Sequence, residues 1–187
     1  MNTLSSFIRP FVALCAVCAV TGGCATFSGT AGVADNQSML SALDGYKQAW
    51  NRHDVNALMA YFGATGSLSS PGAGPDPLAG PALESWLRAL FVGIPDFHVE
   101  VANLDIVSEN KVVDEWVMTG TWTQPFPSGP LQGAKPTGKT FKVRGAGFYD
   151  WQNGHIVKGV HYLDNISFLA QIGVVPPPGA TPLANVK

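Results

Sequence analysis

The stretch FKVRGAGFYDW (Phe141–Trp151), followed by QNG (Gln152–Gly154) and HIVKGVHYLD (His155–Asp164), decides the fold class. Both flanking runs are rich in β-branched and aromatic residues. The Asn153-Gly154 pair between them is a strong hairpin signal, because both positions tolerate the positive φ that a tight turn demands. The two runs are expected as neighbouring antiparallel strands. Upstream, Lys111 to Thr123 reads as a long strand, with Trp116, Met118 and Trp122 on one side and Val113, Val117 and Thr121 on the other. Before it, Phe97, Val99 and Val101 alternate with His98, Glu100 and Ala102, the period of a sheet with one buried face. The segment from Gln124 to Gly138 holds four Pro and three Gly and is excluded from the sheet interior. Gly145-Ala146-Gly147 falls inside a strand, where it would permit a sharp bend or a bulge.

The N-terminal half has a different period. Asn36 or Ser38 can cap a helix whose Met39, Leu43, Tyr46 and Trp50 form one apolar stripe ending near Arg52. Asp54 can cap a second, with Val55, Leu58, Met59 and Phe62 at i, i+3, i+4 and i+7. A third begins near Pro81 and carries Leu83, Trp86, Leu87, Leu90 and Phe91 on one face. Gly63 to Gly80 reads as loop with at most a short strand at Ser67 to Ser69. Helices followed by a run of antiparallel strands indicate an α+β fold, with the helices packed on one face of a curved sheet.

At 187 residues the chain has the length of one domain, and 46% hydrophobic against 13% charged residues allows a substantial core. A net charge of -2 with no basic run argues against nucleic acid as a partner. Residues 1–10 carry Arg9 and no acid; Phe11 to Val20 is apolar; Thr21-Gly22-Gly23-Cys24 follows. That is the layout of an export signal. Ten apolar residues are about half of the roughly 20 that span a bilayer. The leader resembles a bacterial lipoprotein signal, which implies lipidation of Cys24; ordinary secretory cleavage nearby is the alternative. Cys15, Cys18 and Cys24 all lie there, so the remainder has no disulfide, thiolate metal site or cysteine nucleophile. The expected division is a signal at 1–24, a tether at 25–36, one domain at 37–174 and an extended Pro-rich tail at 175–187. The expected location is the periplasm or cell envelope, as a lipoprotein, or else the secreted fraction, with membrane contact only through the lipid.

Six segments carry a resemblance, in order, from about residue 38 to 175. They are Ala49-Trp50-Asn51-Arg52-His53-Asp54, Ile94-Pro95-Asp96-Phe97, Thr119-Gly120-Thr121, Pro136-Thr137-Gly138-Lys139, His161-Tyr162-Leu163-Asp164-Asn165 and Gln171-Ile172-Gly173. Together they resemble the SnoaL-like polyketide cyclase family. The resemblance implies the nuclear transport factor 2-like fold, a cone of bent antiparallel sheet closed by helices around an apolar pocket. Ketosteroid isomerase and scytalone dehydratase use that cone for other reactions, so fold leaves function open. The family also implies a homodimer through the outer sheet face.

The resemblance points to Asp164 as general acid/base of an intramolecular ring closure. A carboxylate beside Val160, Tyr162 and Leu163 would lose hydration and rise in pKa toward a value useful for proton transfer. The other reading of Asp164 is a cap on a helix starting near Ile166. Tyr162, on the same strand face, is the candidate donor to a carbonyl oxygen, or else part of the cone's packing. His161 lies three residues from Asp164 and so faces the other way, which speaks against a dyad. Trp50, Trp86, Trp116, Met118 and Trp122 are the candidate pocket walls. His53 and Asp54 read as structural, Asp96 as a turn residue. No metal spacing, G-x-S-x-G elbow or phosphate loop occurs, so no cofactor is expected. Two functions fit: a cofactor-free cyclase or isomerase acting on a hydrophobic carbonyl compound, or a non-catalytic extracytoplasmic module that holds a small apolar ligand.

Overall fold

A computed structural model describes residues 29–177 and Gly179, with side chains from Gln37 onward. The segment expected to be an export signal, Cys24 and most of the tail therefore lie outside the described residues. Three helices precede most of the sheet: α1 (Gly29–Asn51), α2 (Val55–Phe62) and α3 (Gly80–Gly93). The strands are β1 (Ser67–Ser69), β2 (Leu78–Ala79), β3 (His98–Ser108), β4 (Lys111–Thr121), β5 (Thr140–Gln152) and β6 (His155–Leu163), and α4 (Asn165–Gln171) follows. They form one curved, unclosed six-stranded sheet in the order β2-β1-β6-β5-β4-β3. Every pairing is antiparallel except β1 with β6. The expected α+β class is correct.

Helix α1 starts at Gly29, ahead of the Asn36 or Ser38 start, so part of the segment read as a tether is helical. No proline lies between Gly29 and Asn51 to stop it. Its inward stripe is Leu43, Tyr46, Ala49 and Trp50. Asn51 then clasps the helix end to the sheet, donating to the Val99 carbonyl at 2.9 Å and accepting from the Val99 amide at 2.8 Å. The chain reverses at His53 (φ 54°), whose Nε2 meets the Phe97 carbonyl at 2.8 Å and whose ring stacks on Phe91. Asp54 caps α2 by accepting from the Ala57 amide at 2.9 Å. Asp96 binds the Thr121 amide and hydroxyl, both at 2.7 Å, tying the approach to β3 to the end of β4. These short polar clasps fix α1 over the concave face of the sheet.

The Asn153-Gly154 turn has φ of 52° and 78°, joins β5 to β6, and sets their register. A register shift between Asp150 and Trp151 changes the phase of β6, so that Ile156 and then Gly159, His161 and Leu163 turn inward. No bulge occurs at Gly145 or Gly147. Their missing side chains instead make room on the inner face: a Cβ on Gly145 would strike the Trp116 ring. Trp122 packs against Phe126 with its Nε1 donating to the Gln124 carbonyl at 2.8 Å. Among the described residues no helix is long and apolar enough to cross a membrane.

Candidate functional site

Between α1, α3, α4 and the concave sheet lies a cavity of about 630 Å³, a size typical of small-molecule sites. Trp50, Trp86, Trp116 and Met118, four of the five candidate wall residues, line it. Trp122 does not. It is 1% exposed and sealed into the core behind Phe126, because β4 has already run past the cavity at that point. The mouth is framed by Leu40, Asp44 and Lys47 of α1, by the loop at Pro71–Gly72, and by Ser128–Leu131. Trp86 holds the first loop by donating from Nε1 to the Gly72 carbonyl at 3.1 Å.

Asp164 and Tyr162 are not in this cavity. Asp164 is exposed and accepts from the Ser167 amide at 2.9 Å, which makes it the N-cap of α4. Tyr162 is 61% exposed on the outer sheet face, edge-on to Phe148. Both border only a shallow depression on that outer side, with Arg144 and Glu115. The physical reason is strand parity: His161 and Leu163 of β6 point inward, so residues 162 and 164 cannot. The opposition between His161 and Asp164 was read correctly, and it is His161 that faces the interior.

The polar side chains that α1 and the sheet present to the cavity include Tyr46 from α1, Asp114 from β4, Tyr149 from β5 and His161 from β6. Asp114 is the residue the sequence reading missed. Its signal was its phase, since it lies on the same side of β4 as Trp116 and Met118, the side the cavity uses. Burial pushes its carboxyl up to about 7; the Gly147 amide and the Tyr149 hydroxyl favour the charged form and offset this only in part. Oδ1 of Asp114 and the Tyr46 hydroxyl are both buried without a hydrogen-bond partner. The Tyr149 hydroxyl lies 3.1 Å from His161 Nε2. Burial drives the His161 imidazole down to about 4, so the ring is neutral at ordinary pH. Burial, with the fields of Tyr46 and Asp114, holds the Tyr149 phenol well above its usual range, and burial likewise raises Tyr46.

Unpartnered buried polar atoms are costly, and a site that keeps them is organised for something that is not protein. Here an unpartnered hydroxyl and carboxyl face one apolar hollow, with a carboxyl whose proton comes and goes near neutral pH. Such a pair can take a proton from carbon and hold a carbonyl oxygen. Among the described residues, no group of three His, Cys, Asp or Glu is placed to hold a metal ion.

The profile of the SnoaL-like polyketide cyclase family matches residues 41–172, well over half the chain. The chain belongs to that family. Solved structures with the same fold include AclR of Streptomyces galilaeus, a proposed hydroxylase, at 16% identity and a TM-score of 0.63, covering 79% of this chain and 86% of that one. IdmH of Streptomyces antibioticus, a proposed polyketide cyclase, is 22% identical with a TM-score of 0.60, covering 72% and 98%. A protein of Catenulispora acidiphila with a ketosteroid isomerase-like fold, in complex with trimethylamine, is 23% identical with a TM-score of 0.57, covering 75% and 97%. No curated protein matches the chain. At these identities the structural likeness speaks for the fold; the family's nuclear transport factor 2-like cone is what the strands and helices above describe.

Proposed function

We propose that this protein is a cofactor-independent acid/base catalyst acting on a neutral, largely apolar carbonyl compound. The observation that carries the reading is the buried Asp114 carboxyl, unpartnered at Oδ1 and poised near neutrality in an otherwise greasy cavity. Asp114 as carboxylate removes a proton from the carbon beside the carbonyl. The Tyr46 hydroxyl donates to the carbonyl oxygen as negative charge develops there. The protonated Asp114 then returns the proton, either to carbon in an isomerisation or to the new alkoxide in a ring closure. Trp50, Trp116 and Leu90 supply apolar walls that exclude water and strengthen both interactions. Apart from Asp114, the charged residues that line the cavity are Asp44 and Lys47 of α1, one of each sign, and the rest of the lining is uncharged at neutral pH, which favours a neutral substrate.

The test uses β-tetralone, an apolar ketone with exchangeable hydrogens beside its carbonyl, in deuterated buffer. The protein should accelerate exchange at that carbon, read by proton NMR. Tight binding without acceleration would instead select the second function, a non-catalytic ligand carrier on the same cone.

Export belongs to this proposal as its location. Its support is the leader itself, with Arg9, the apolar run Phe11 to Val20 and Cys24. Mass spectrometry of the cell-derived protein should find an N-terminus at Cys24 bearing diacylglycerol; secretory cleavage elsewhere would keep export and remove the lipid, and an intact Met1 would refute both.

A further inference from the structure

Asp114, Gly147 and His161 are direct register partners across three adjacent strands: Asp114 of β4 opposes Gly147 of β5, which opposes His161 of β6. Adjacent strands lie about 4.8 Å apart, so the two functional residues sit one strand too far from each other to bond directly. The residue between them has no side chain. Into that gap swings the hydroxyl of Tyr149, two positions along β5 and on the same face. A Cβ on Gly147 would collide with both Asp114 Oδ1 and this hydroxyl, so the glycine is what lets the three groups line up. Tyr149 then reaches His161 Nε2 at 3.1 Å on its far side.

A phenol has one proton and gives it in one direction at a time. In this structure the Tyr149 hydroxyl lies beside Asp114 Oδ1 across Gly147 without bonding it. When Asp114 is charged, the favourable arrangement has Nε2–H of His161 donating to the Tyr149 oxygen and the Tyr149 proton turned to that open Oδ1. When Asp114 carries its own proton, Tyr149 is free to donate to a bare Nε2, which requires the imidazole proton to sit on Nδ1. We propose that His161 and Tyr149 form a proton wire to Asp114, in which the histidine changes tautomer each time the carboxyl gains or loses its proton. One passage balances as follows. A hydronium from solvent gives its proton to Nδ1 and leaves as water, the Nε2 proton passes to the Tyr149 oxygen, and the original Tyr149 proton passes to Asp114. One proton has entered and the ring is neutral before and after.

The ring is suited to this because its burial disfavours the imidazolium. The titratable groups facing the row are Tyr46 from α1 and the three members themselves. Asp44 and Lys47 stand at the cavity mouth, while β3, α3 and α4 present only apolar or uncharged side chains to the cavity. His161 and Tyr149 are positioning residues here, acting on substrate only through Asp114.

The experiment is nitrogen NMR of the full chain carrying labelled histidine, titrated across neutral pH, with the Asp114 carboxyl carbon followed in parallel. The expected result is an exchange of the His161 Nδ1 and Nε2 signals between the two neutral patterns, with the same midpoint as Asp114. Tyr149→Phe, which keeps the ring and loses the hydroxyl, should abolish the exchange, and so should Asp114→Asn. A single tautomer throughout the Asp114 titration would overturn the wire, as would conversion of the ring to imidazolium over that range. The readout needs no substrate, so a failure of β-tetralone exchange leaves this result to stand or fall by itself.

Discussion

Asp114→Asn is expected to slow exchange of β-tetralone hydrogens by about 10²–10⁴-fold, the range for loss of a positioned acid/base. The amide has the carboxyl's size and can still donate a hydrogen bond, but it cannot accept the carbon's proton. The loss should fall on kcat with little change in KM, because Trp50, Trp116 and Leu90 bind the ring system without help from the carboxyl. In the unaltered protein the rate should climb as pH rises through about 7, where Asp114 loses its proton, and this limb should vanish in the variant. Asp164→Ala is the matching control. It removes the cap bond to the Ser167 amide and should cost about 1 kcal/mol of stability, leaving exchange intact. If Asp164→Ala abolished exchange and Asp114→Asn did not, the assignment of the acid/base to the inner wall would be lost.

The sequence made the architecture legible because its signals are local. Asn153-Gly154 dictates a hairpin by backbone sterics alone, and period two along β4 separates Trp116 and Met118 from Val113 and Val117 without reference to anything distant. Asp54 as a cap is likewise decided within a few residues, whereas the backbone partner of His53, the Phe97 carbonyl, lies 44 positions away and was not legible locally. The two-residue β2 is too short to leave a pattern. The site was harder, for a physical reason. On β6, apolar residues occur at both parities, Ile156 and Tyr162 on one and Val157 and Leu163 on the other, so hydrophobicity could not say which face is inner. The register shift opposite Asp150 and Trp151 changes the phase midway. Asp164 next to an apolar strand end therefore looked desolvated and is in fact a solvated cap. Asp114 was the reverse: an acid in phase with Trp116 and Met118, two of the candidate pocket walls, on a strand whose inward face the sequence left open. An acid on an apolar stripe is a stronger pointer than an acid at a strand end, because only the first has no route to water.

The same two inner-wall groups make opposite demands on stability, and separating them yields the other large expected effect. Asp114 rises from 3.8 to about 7 on folding, so between those values the folded chain holds a proton that the unfolded chain has released. That makes stability fall as pH rises through the interval, by an amount on the order of 4 kcal/mol for a rise from 3.8 to about 7. His161 drops from 6.5 to about 4, so between those values the unfolded chain holds the extra proton and stability rises with pH, on the order of 3 kcal/mol. From about pH 4 to 6.5 the two slopes oppose and nearly cancel, which means one proton is bound to the pair in either state. His161→Gln should expose the falling slope of Asp114, and Asp114→Asn the rising slope of His161. Other carboxylates contribute equally to both variants, so the difference between the two denaturation series isolates the pair. The double variant should again be nearly flat. Parallel curves for the single variants would show that neither group is held in its uncharged form by burial, and the premise of a neutral acid facing a neutral base across Tyr149 would go with it. Diverging curves would explain how a cavity can keep both groups dehydrated and ready to exchange protons without making the fold fragile at either edge of that range.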